Sequence, residues 1–85
     1  MNGAPATATG MVLRVQFNGA GVNSGEIGIS LDNDQSYWVF MDTPAGPFFE
    51  IFETAVAAMW ESKKVEIKYI RKDNGDWGVV TIRKI

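Results

Sequence analysis

The side chains from which this sequence could build a reaction are few: Glu50, Glu53 and Glu61, the run Asp32-Asn33-Asp34, and the serines Ser24, Ser30, Ser36 and Ser62. Glu50 and Glu53 are three residues apart, one helical turn, which would suit a metal or an acid/base pair, but their surroundings read as a solvated helix face. Asp32-Asn33-Asp34 lacks the spacing and the terminal glutamate of a calcium loop and reads as a plain turn. Histidine and cysteine are both absent. The serines therefore have no imidazole to activate them, and the commonest transition-metal ligands are missing. Asn18 to Gly25 is glycine-rich, yet no lysine or helix start follows as a phosphate loop requires. Two carboxylates can hydrolyse a glycoside, but no pair here stands out. The expectation is a protein without catalytic machinery, metal or cofactor.

Aromatic residues offer a different chemistry, that of flat binding surfaces. Tyr37, Trp38, Trp60, Tyr69 and Trp77 could stack on nucleobases, as in single-strand binders. Charge argues against that ligand, because ten acidic and eight basic residues leave a net charge of −2. The basic residues gather only at Lys63-Lys64 and Arg71-Lys72, whereas a phosphate backbone draws its affinity from concentrated positive charge. A single-stranded nucleic-acid-binding domain stays as the alternative to a non-enzymatic binding module.

Length sets the scale for both. At 85 residues the chain supports one small core. A core of this size contributes only about 3–5 kcal/mol, and without disulfides the remaining reinforcement is self-association. No apolar run approaches the roughly 20 residues of a membrane span, and Met1 to Pro5 lacks the features of a secretory signal. The chain reads as soluble, cytoplasmic by default and secreted if a signal has been removed.

The elements that would position these groups follow from periodicity. Residues 1–10, all Ala, Thr, Gly and Pro beyond Met1 and Asn2, read as a flexible tail, with a single domain over 11–85. Met11, Leu13, Val15 and Phe17 alternate with other residues as in a half-buried first strand. Glu26 to Leu31 and Ser36 to Met41 flank a turn at Asn33-Asp34. A two-residue turn there pairs Leu31 with Ser36 and Ile29 with Trp38, placing Trp38 in the core and Tyr37 nearer solvent. After Pro44 and Pro47 a helix is expected over 48–62. Its apolar residues, Phe48, Phe49, Ile51, Phe52, Ala55, Val56, Ala58, Met59 and Trp60, span roughly 200°, more than one sheet contact needs. That excess points to a homo-oligomer. Met59 and Phe52 sit near the centre of the arc. The last hairpin, Val65 to Arg71 and Trp77 to Arg83, turns at Asn74-Gly75. Two-residue geometry there sets Glu66 against Arg83, Ile67 against Ile82 and Tyr69 against Val80, with Lys72 opposite Trp77 outside the core.

Strand, two-strand hairpin, helix, two-strand hairpin is the element order of the OB fold: a mainly β, five-stranded barrel with one helix between strands 3 and 4. From Glu26 onward, Glu-Ile-Gly-Ile-Ser-Leu-Asp-Asn leads to a strand, a proline-containing loop, a long helix, Lys-Val-Glu-Ile and an Asn-containing hairpin turn beside Trp77. This resembles the receptor-binding B subunits of pentameric bacterial toxins of the cholera toxin and heat-labile enterotoxin type, over roughly 60 residues and by element order more than by identical motifs. The resemblance implies five copies sharing edge strands and a glycan beside a tryptophan at the hairpin turn. It assigns Trp77 and Asn74 to the site, with Lys72 close by and Asp42 and Thr43 in the loop before the helix. The family's disulfide and short N-terminal helix are missing here. The ligand expected is a glycan or another protein.

Overall fold

A computed structural model describes residues 4–17, 25–40, 45–73 and 75–85. The elements are β1 (Ala6–Phe17), β2 (Gly25–Leu31), β3 (Ser36–Phe40), α1 (Ala45–Glu61), β4 (Lys64–Arg71) and β5 (Trp77–Lys84). The five strands form one sheet with the helix between β3 and β4, as the element order led one to expect. Neighbours run β1-β2-β3-β5-β4, and β4 pairs back onto β1, so the sheet closes on itself. Among the described residues no helix is long and apolar enough to cross a membrane.

Closure depends on β1 serving two partners. Its first half, Ala6–Met11, pairs with β4, and from Val12 onward it pairs with β2, with a bulge at Leu13. Asp32 ties the changeover to the first hairpin: its N–H donates to the Met11 carbonyl at 3.0 Å, and its carboxylate accepts from the Met11 N–H at 3.1 Å. Residues 6–10 are thus strand, not tail. Ala8 and Gly10 face inward while Thr7 and Thr9 are exposed. That is the two-residue period of a strand, carried by side chains too small to register as a hydrophobic pattern.

Both hairpins differ from the expected two-residue geometry by one residue. In the first, Asp34 N–H donates to the Leu31 carbonyl and Leu31 N–H to the Gln35 carbonyl, with Asp34 at φ 66°. The second repeats the pattern, Gly75 N–H to the Lys72 carbonyl and Lys72 N–H to the Asp76 carbonyl, with Gly75 at φ 91°. Each is a three-residue loop closed by a left-handed residue. The extra residue shifts the pairing so that Ile29 faces Tyr37 and Gly28 faces Trp38. Because side chains alternate, one step exchanges the faces: Tyr37 is 1% exposed in the core and Trp38 lies half-buried outside. In the second hairpin Arg71, not Lys72, faces Trp77, and Tyr69 faces Val79. A bulge at Val80 then restores the expected pairs Ile67–Ile82 and Glu66–Arg83, the latter an exposed ion pair at 2.8 Å.

The helix packs its Ile51, Ala55 and Ala58 stripe onto the core formed by Val12, Ile27, Ile29, Val39, Val65 and Ile67. Phe48, Phe52 and Met59 flank that stripe half-buried, so the helix phase lies about one residue from the expected centre. Phe49 and Trp60, on the far side, are 59% and 80% exposed. The helix ends with Lys63 N–H donating to the Ala58 carbonyl and Ser62 N–H to the Met59 carbonyl, a terminus that forces Ser62 to φ 55°.

Two stability outcomes follow. Ile51→Ala should cost about 2–5 kcal/mol in urea unfolding, while Phe49→Ala stays within about 0.5 kcal/mol when the chain is kept monomeric by dilution. Ser62→Gly removes the Cβ penalty of the left-handed position and should raise stability by about 1 kcal/mol.

Candidate functional site

The parallel contact between β3 and β5 builds the site. Trp38 on β3 pairs with Gly78 on β5. Since the two strands run the same way, their starts, and the hairpin turns that precede them, lie at one end of the sheet. There Gln35, Ser36 and Trp38 from the first hairpin meet Arg71, Gly75, Asp76 and Trp77 from the second around a shallow depression of about 280 Å³. Trp38 lies flat across Gly28, where an added Cβ would come within 2.8 Å of its ring. Glycine at 28 is what allows the indole to rest there.

Beneath this surface is an aromatic stack. The Trp77 ring centroid is 5.6 Å from Tyr37 and 5.3 Å from Tyr69, each at 30°, and Tyr37 and Tyr69 are 4.9 Å apart at 54°. Trp77 is therefore half-buried against the core, not outside it as the expected register had it. It also lines the depression. The Tyr37 hydroxyl accepts from the amide of Asn33 in the first hairpin turn at 3.1 Å. Burial raises the Tyr37 phenol above its ordinary value of 10.0, Tyr69 adding to the effect and the Asn33 bond partly offsetting it.

Of the residues expected to bind a ligand, Trp77 lines this depression. Lys72 turns away: its ammonium sits 4.8 Å from the Phe40 ring centroid and its stem lies against Gly78. Asn74, Asp42 and Thr43 lie outside the described residues. Trp38, Arg71, Gln35, Ser36 and Asp76 were not foreseen. The like sequences of the two turns, Asp-Asn-Asp and Asp-Asn-Gly, were visible, but only the strand order places them side by side.

Chemically, the site combines two indoles, one guanidinium, one carboxylate, an amide and a hydroxyl. Ser36 Oγ shares a hydrogen bond with Ser30 Oγ at 3.0 Å. The lining of the depression is predominantly polar, so directional hydrogen bonding is what it chiefly provides, with the two indoles at its border. Among the described residues no group of three acidic side chains stands close enough to hold a metal ion. No protein-family model matches the chain, and comparison with curated proteins and with solved structures likewise found no match.

The Tyr37 environment yields a pH test. A phenol whose folded value is raised favours the folded state as long as it stays protonated. Its stabilising effect is therefore complete below the ordinary value of 10.0 and is lost as pH rises above it through the folded value. Urea midpoints at about pH 9 and about pH 11 should show the parent losing more stability than Tyr37→Phe, although that variant starts about 1 kcal/mol lower for lack of the Asn33 bond.

Proposed function

We propose that this chain is a non-enzymatic, self-associating binding module with an OB-type barrel, and that it takes a glycan where its two hairpin turns meet. The observation that carries the reading is the juxtaposition of Trp38 and Trp77 with Arg71, Gln35, Ser36 and Asp76 around one shallow depression. The polar groups of the depression can bond to ring hydroxyls in fixed directions, and the indoles at its border can meet the apolar edge of a sugar ring. The strand order β1-β2-β3-β5-β4 with the helix after β3 supports the OB assignment. The likeness to toxin B subunits supports the choice of ligand, since in that family a sugar docks beside a tryptophan at a hairpin turn. Self-association is supported by Phe49 and Trp60, large apolar side chains left in solvent on a very small protein.

A glycan array probed with the parent and with Arg71→Ala and Trp77→Phe tests the site. Both substitutions keep the fold, the first at an exposed position and the second by retaining a ring against Tyr37 and Tyr69. Each should weaken binding by about tenfold, the loss of one charged or one stacking contact, with unchanged circular dichroism. Absence of glycan binding together with salt-dependent retention on single-stranded DNA would favour the nucleic-acid reading instead.

A further inference from the structure

A second concavity lies away from the hairpin turns, a groove of about 480 Å³ between α1 and β5. It shares no residue with the depression around Trp38 and Trp77. Most of its lining is apolar: Ile51 is buried, Ile82 half-buried and Val80 exposed. The helical period sets its charged part. Counting from Ile51, Thr54 lies about 60° round the helix, Glu50 about 100° and Glu53 about 160°, all in the same direction. The helix wall of the groove thus passes from a buried isoleucine to two exposed carboxylates. No cation of this chain answers them. All eight lysines and arginines of the sequence are among the described residues, and none lines the groove. The two on β5 are committed elsewhere, Arg83 to Glu66 and Lys84 to Glu61. Neither Glu50 nor Glu53 forms an ion pair among the described residues.

We propose that this groove binds a linear aliphatic polyamine, its ammonium groups at Glu50 and Glu53 and its methylenes against Ile51, Val80 and Ile82. Charge complementarity selects the class. Two carboxylates are too few to replace the oxygen shell of a hard metal ion, and such an ion gains nothing from the apolar wall. A neutral apolar ligand would leave both carboxylates unanswered. A flexible amine that alternates methylene runs with positive charges matches both parts of the groove. Glu50 and Glu53 stand one turn apart, with Cβ atoms about 5–6 Å from each other, close to the span of ammonium groups separated by three or four carbons. The volume also falls in the range of small-molecule sites, about 300–1,000 Å³. This site is independent of the glycan reading and stands whether or not the chain self-associates.

Spermidine titrated into the full chain at low ionic strength tests the site, by calorimetry for affinity and by NMR for position. One spermidine per chain should bind, shifting the methyl signals of Ile51, Val80 and Ile82 and leaving the indole signals of Trp38 and Trp77 in place. The pair Glu50→Gln with Glu53→Gln should weaken binding by about tenfold or more, through loss of two charge-assisted contacts. Glu61→Gln removes a carboxylate from the same helix outside the groove and should leave the affinity within about twofold. Val80→Thr keeps the branched shape, puts a hydroxyl against the methylenes and should weaken binding by about threefold. Butane-1,4-diol, a four-carbon chain without charge, should not bind. The glutamine and threonine changes sit at exposed positions, and the shift pattern of the parent reads the site without any variant. A parent that does not bind spermidine overturns the proposal, as does one that takes a lysine-rich peptide in its place. Shifts away from the groove overturn it too, as does a loss on Glu61→Gln equal to that of the groove pair, the mark of diffuse attraction to an acidic protein.

Discussion

β3 and β5 run parallel, and the pair Trp38–Gly78 is where they meet. Every other strand pairing in the sheet is antiparallel, so this is the contact that converts two hairpins and a long bent strand into a closed structure. It also decides where chemistry can occur. A parallel contact aligns strand starts with strand starts, so the turns before β3 and β5 emerge together and their polar residues share one surface. Had the two hairpins joined in antiparallel fashion, the turns would stand at opposite ends and Trp38 would not meet Arg71.

The three-residue turn is the second determinant. In each hairpin the chain closes through a residue in the left-handed region, Asp34 in one and Gly75 in the other. Glycine adopts that conformation without penalty, and aspartate tolerates it better than most side chains do. The consequence reaches well beyond the turn. One residue of loop length sends Tyr37 inward to stack with Tyr69 and Trp77, and turns Trp38 outward over Gly28. The second hairpin corrects itself further along, the bulge at Val80 returning Ile67 and Ile82 to facing positions. That bulge also leaves Val80 exposed.

The helix fits this sheet with economy of contact. Two alanines, Ala55 and Ala58, and Ile51 are its fully buried side chains. Small side chains at the contact let the helix lie near the strands, and the larger Phe48, Phe52 and Met59 fill its margins. The side that carries Phe49 and Trp60 has nothing to cover within one copy, and this surplus was legible from the helical period alone.

Local pattern determined much of this protein. Two turns rich in Asp and Asn, alternation along β1, β2, β4 and β5, and a helix free of internal breakers are properties of neighbouring residues, so the sequence alone placed five strands and one helix in their order. Lack of histidine and cysteine was equally plain and removed whole classes of chemistry. What the sequence did not reveal are the features that depend on distant residues. Residues 6–10 became a strand because β4 required a partner, not because Ala and Thr announce one. The inward turn of Tyr37 hung on a single residue of loop length, which a two-residue and a three-residue reading of Asp32-Asn33-Asp34 share equally until the backbone angle of Asp34 is seen. Arg71 and Trp38 are 33 residues apart, and no local period relates them. Only closure of the sheet, a sum of many non-local pairings, brings them to the same surface.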